Sequence, residues 1–182
     1  MQLNLRRVLI GLIALVAIGG IWSALASGSN RAKPVPSSSA ETQSTQGISG
    51  TMVIDFGERS DREVIVRDYT DVPTEKSSWD LFAASALKVE GTSNYPTGFV
   101  CRIEGWPSVQ KQDCIDTPTY AEGTWAYFVT NPSLGDGWVM SGQGASMHKP
   151  VCGGYEAWVW IEGGSGDSKR LPNYTPTPRS CQ

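Results

Sequence analysis

A chain of 182 residues, 40% hydrophobic and 18% charged, can hold one domain with extensions but not two full domains. Its net charge of −3, with no basic stripe, excludes nucleic acid as a partner, because phosphates need clustered lysine and arginine. Low charge density and four cysteines fit a β-rich module of an oxidising compartment.

Residues 1–26 read as a leader. Arg6 and Arg7 precede an uncharged apolar run from Val8 to Ala26. Ser23-Ala24-Leu25-Ala26 offers a small-residue cleavage site, so a signal peptide ending at Ala26 is one reading. The run also approaches the ~20 residues that span a bilayer, and Trp22 suits its outer interface, so an uncleaved single-pass membrane anchor is the other. Both export the remainder, since positive charge stays on the cytoplasmic side. The expected localisation is extracytoplasmic, either held on the cell membrane or secreted.

Residues 27–50 read as a disordered Ser/Thr/Pro linker: Lys33-Pro34-Val35-Pro36 is followed by a polar stretch too poor in apolar surface to offset the entropy of ordering. The folded domain is expected over residues 51–162. Met52, Ile54 and Phe56 alternate with Thr51, Val53 and Asp55, which is strand periodicity. A turn at residues 57–61 and a second strand from Glu63 to Arg67 complete a hairpin. One helix is predicted from Ser77 to Val89. Ser77 and Asp80 have capping-box spacing, Trp79, Phe82, Ala83 and Ala86 form one stripe, and Gly91 ends it. Strands follow over Phe99–Ile103, Thr124–Thr130, Trp138–Ser141 and Ala157–Glu162, with turn-forming residues 131–137 between two of them. Residues 163–182 read as a flexible Gly/Pro-rich tail. The order hairpin, helix, strands predicts one α+β domain, its helix packed on a mostly antiparallel sheet.

Four cysteines in an exported chain point to two disulfides, for which sequence alone permits three pairings. Cys101 and Cys114 flank a turn containing Pro107, and Cys152 would then pair with Cys181 and draw the tail back. No two cysteines have zinc-site spacing, and no metal or cofactor is expected. His148, the only histidine, could act as a base for Ser141 or Ser146, but no G-x-S-x-G elbow exists. Asp55-Phe56-Gly57 and the glycine-rich run at 163–167 lack the partners that kinase or phosphate-binding motifs require. Asp113, Asp116 and Glu122 could form paired carboxylates, although acidic loop residues on an acidic domain are ordinarily solvated. No enzyme is read here.

The last strand carries the candidate binding residues. Tyr155, Ala157, Val159 and Ile161 share one face, which is apolar enough for core. Glu156, Trp158, Trp160 and Glu162 share the other. Tryptophans bracketed by carboxylates suit a wet aromatic platform, with Trp138 contributing from its loop. The competing reading is that this face is covered too, by the tail or by the loop holding Trp138.

Val53-Ile54-Asp55-Phe56-Gly57, the Trp79–Val89 segment and Gly98-Phe99-Val100-Cys101-Arg102-Ile103-Glu104-Gly105 resemble bacterial surface domains of the transcobalamin-like C-terminal family. Thr124-Trp125-Ala126-Tyr127, Trp138 and Tyr155-Glu156-Ala157-Trp158 are similar to tryptophan positions of its actinobacterial branch, which carries a pair like Cys101 and Cys114. The resemblance implies a β-grasp-like fold and a surface or uptake-associated role. In animal cobalamin carriers the domain closes over one face of the corrinoid, but this chain has no room for the helical barrel that supplies the other half of that site. The expected function is therefore an envelope-displayed, non-enzymatic binding module for a small, cobalamin-like or other ligand. The alternative is a structural or protein-interaction domain without a small ligand.

Overall fold

The structure is a computed structural model and describes residues 47–130, 137–163 and 170–179. The leader, nearly all of the expected linker, the 131–136 turn and Cys181 lie outside the described residues. Among the described residues no helix is long and apolar enough to cross a membrane.

The expected first hairpin forms. Strand β1 (Ile48–Asp55) pairs antiparallel with β2 (Ile65–Val72), placing Ile54 opposite Ile65 and Val53 opposite Val66. β1 starts at Ile48, so the end of the expected linker belongs to the sheet. Strands β3 (Val89–Gly91) and β4 (Val100–Ile103) form a separate two-stranded sheet. β5 (Thr124–Val129), β6 (Val139–Met140) and β7 (Tyr155–Ile161) join the hairpin in a sheet ordered β2-β1-β7-β5-β6. Its pairs are antiparallel except at the centre, where β1 and β7 run parallel with Thr51 opposite Tyr155 and Ile54 opposite Trp158.

The helix expected from Ser77 to Val89 is cut to one turn, α1 (Leu81–Ala84). Its entry is as expected, with the Asp80 carboxylate accepting the Ser77 N–H and hydroxyl, both at 2.9 Å. Its exit is not. Ala86 sits at φ 53°, outside helical space, and Val89 runs on into β3 opposite Ile103. Gly91 lies in β3, where a Cβ would meet the Pro96 carbonyl oxygen at 2.1 Å. The domain is thus sheet-rich with almost no helix, and the β-grasp-like arrangement of one helix packed across the sheet is not formed.

Two apolar clusters lie on the two faces of the five-stranded sheet. On one, Met52, Ile54, Phe56, Trp125, Tyr127, Trp158 and Trp160 pack under Leu81, Phe82, Leu87, Val100 and Ile103 from the β2–β4 connection. On the other, Val53, Ala126, Phe128, Ala157, Val159 and Ile161 pack with Val66, Trp138 and Tyr174. Tyr174 belongs to the segment expected to be a flexible tail. Residues 170–179 instead pack on the sheet through a buried anchor. The Asp55 carboxylate accepts from Arg170 Nη2 at 3.1 and 3.2 Å, from the Asn173 N–H at 2.9 Å and from the Gly57 N–H at 3.0 Å. Tyr155 OH and Thr177 Oγ1 lie 2.9 Å apart, and Arg179 reaches Asp68 at 3.0 Å.

Candidate functional site

The three tryptophans singled out as a ligand platform are not brought together. Trp158 and Trp160 are 5% and 2% exposed and sit inside the first cluster, so the wet-platform reading gives way to core. Trp158 stacks on Tyr127 at 4.6 Å, and Trp160 meets Trp125 and Trp106 edge-on. Trp138 lies on the opposite face, half-buried, with its Nε1–H donating to the Tyr174 carbonyl at 2.7 Å. The covering of the Trp158 face comes from the β2–β4 connection. The tail and Trp138 cover the other face.

Glu156, expected at a solvated rim, is 2% exposed. Its carboxylate accepts the Ser78 hydroxyl at 2.8 Å on one oxygen and the Tyr127 hydroxyl at 2.6 Å on the other. His148 Nδ1 lies 2.9 Å from Ser78 Oγ, 3.1 Å from Tyr127 OH and 3.6 Å from Glu156 Oε1. The tautomer that completes the cluster, given that both hydroxyls donate to the carboxylate, is the one with its hydrogen on Nδ1. Burial, and then the Glu156 charge, push the Tyr127 and Tyr69 hydroxyls far above their ordinary range, so both stay protonated. A serine, a histidine and a carboxylate within hydrogen-bond reach suggest a nucleophilic triad, but the geometry is wrong for one. A triad sets serine and carboxylate on different ring nitrogens, whereas among the described residues Ser78 and Glu156 both lie against Nδ1. Ser78 is also fully buried and already donates to Glu156. The cluster fixes the loop holding His148 to the sheet. Sequence reasoning paired His148 with Ser141 or Ser146. Nothing local marked Ser78, which reaches the ring only through the fold.

The loop between β4 and β5 has a different character. Cys101 and Cys114 are joined by a disulfide with Cα atoms 5.6 Å apart, as expected. Cys152 is also disulfide-bonded, while its expected partner Cys181 falls outside the described residues. Arg102, next to Cys101 and itself buried, pairs with Glu90 and holds the loop's near arm from inside. Its Nε donates to the Pro107 carbonyl at 2.6 Å and its Nη2 to the Gln112 carbonyl at 2.9 Å. A guanidinium can hold two carbonyls at once because its donors form a rigid planar fork. Beyond Cys114, the Ser93 and Asn94 N–H groups bind the carbonyls of Cys114 and Ile115 at 2.7 and 3.2 Å. At the far end Gly123 has φ 102°, and a Cβ there would lie 2.3 Å from the Trp160 ring, so only glycine lets the loop close onto that tryptophan. Trp160 supports the loop from the core.

This braced loop walls a groove of about 540 Å³, lined by Val109, Lys111, Gln112, Asp113, Ile115, Asp116 and Glu122 among others. Val109 and Ile115 are 66% and 56% exposed despite being branched aliphatics. Lys111 is drawn to Glu162 at 2.8 Å. Among the described residues the carboxylates of Asp113 and Asp116 accept only loop N–H groups, from Ile115 and Thr117. Glu122 accepts the Thr119 N–H and hydroxyl, which hold its carboxyl below the usual carboxylate range. None of the three has a cation within ion-pair distance among the described residues. The described residues also contain no group of three His, Cys, Asp or Glu side chains placed to hold a metal. All three carboxylates are exposed, as expected of acidic loop residues. Arg102, which braces the loop's near arm, gave no local signal.

No family model matches the chain, and no curated protein does.

Proposed function

We propose that the chain is an extracytoplasmic, envelope-displayed, non-enzymatic binding module that meets a protein partner through the braced loop 107–123. The observation that carries this reading is the groove flanked by exposed Val109 and Ile115, on a loop fastened by a disulfide and a buried arginine. Rigid loops that expose aliphatic side chains lose little entropy on association, which is how recognition surfaces are built. The disulfide supports an oxidising compartment, in keeping with the Arg6-Arg7 leader and its anchor or signal-peptide reading. The transcobalamin-like resemblance suggested a small ligand laid on an open aromatic face. Both faces of the sheet are covered, which favours the protein-interaction alternative over a corrinoid-like ligand.

A photo-crosslinking side chain placed at Ile115 tests this in intact cells, with the same probe at exposed Leu171 as control. A discrete adduct from position 115 and none from 171 is expected. No adduct from 115, or identical adducts from 115 and 171, would remove the loop as the contact surface.

A further inference from the structure

We infer that the groove on the braced loop receives a cationic segment of a partner polypeptide, one that alternates lysine or arginine with branched aliphatic side chains. The inference rests on the interaction reading above and names the partner's chemistry. Charge complementarity selects this occupant. Asp113, Asp116 and Glu122 face no cation among the described residues, and the groove's own lysine is already engaged by Glu162. An acidic partner, or a second copy of this net-negative chain, would add like charge to the site. The apolar component comes from Val109 and Ile115 on the same loop, which would shed water against aliphatic side chains. The volume of about 540 Å³ suits a few side chains, so a short extended segment fills it and a folded domain need not enter. Asp113 lies between two fixed points, the Gln112 carbonyl held by Arg102 and the Cys101–Cys114 disulfide, so its place on the loop is set before the partner arrives.

The test uses the full chain and a fluorescent short peptide of alternating lysine and valine, read by anisotropy at low salt. Two control peptides replace lysine by glutamate or valine by serine. The lysine–valine peptide is expected to bind, the glutamate–valine peptide not to bind, and the lysine–serine peptide to bind about tenfold more weakly. Asp113→Asn with Asp116→Asn keeps the oxygens that accept the loop N–H groups, and is expected to lower affinity about tenfold without changing the melting temperature. Ile115→Ser is expected to do the same through the apolar term. Equal binding of lysine–serine and lysine–valine peptides, or unchanged affinity in the double variant, would overturn the inference. If the crosslink from position 115 persists in cells while the lysine–valine peptide fails to bind, the cationic assignment falls and the loop remains the contact surface. Loss of both removes the loop altogether.

Discussion

Glu156 shows how one residue's role depends on neighbours far off in sequence. Read along β7 it alternates with apolar positions and looks solvated; in the fold it is the acceptor for Ser78 and Tyr127, with His148 closing the cluster. Alternation reveals which residues share a face but not whether that face is covered, and here the cover comes from chain positions far from β7. Glu156→Ala would strand two buried hydroxyls and the imidazole. The expected loss is about 3 kcal/mol, read by urea unfolding, with Glu156→Gln costing less because the amide still offers one acceptor. The same cluster sets an alkaline limit. Tyr69 and Tyr127 are raised by burial, with Glu156 adding to it, so the folded state holds these protons where an unfolded chain releases them near pH ~10. A raised folded pKa gives stability that is complete below the unfolded value and lost as pH rises above it. Tyrosine ultraviolet titration is therefore expected to show two hydroxyls ionising late and together with unfolding, and Tyr127→Phe to leave one.

Elements were legible wherever local pattern decides them. The first hairpin, β4, β5 and β7 are runs of β-branched and aromatic residues, and they appear as expected. The helix was legible at its start, where Ser77 and Asp80 set a local cap, and illegible at its end. There the pairing of Val89 with Ile103, a tertiary event, overrides helical spacing. For residues 170–179 the expected draw back through Cys181 hinted at docking, but the anchor was illegible. Asp55 is a buried carboxylate paired with Arg170, and no local rule links those positions. Arg170→Ala is expected to cost about 3 kcal/mol, since it leaves that carboxylate buried without its cation. Arg59→Ala, which removes an exposed pair with Glu162, is expected to shift urea unfolding by less than about 0.5 kcal/mol.

For the whole molecule, sequence alone conveyed a sheet-rich, disulfide-stabilised domain and missed which surface is open. The tryptophans drew notice as a platform because aromatic residues serve both cores and interfaces, and composition does not separate the two uses. The loop proposed as the contact surface is held instead by Arg102, a charged residue turned inward to bind backbone carbonyls. One topological feature also governs how the domain comes into being. The centre of its sheet joins β1 to β7, the first and last of the described strands, so the hairpin β1–β2 and the pair β5–β6 have no common neighbour until Tyr155–Ile161 is present. Isolated hairpins are marginal in water, and such distant pairings form slowly, in milliseconds to seconds. A chain ending before Tyr155 is expected to show no cooperative melting transition and no strand signal in circular dichroism. A polypeptide drawn through a narrow channel with its amino end leading would consequently stay pliable until Tyr155–Ile161 had passed. Only then would the sheet close, with its beginning and its end side by side.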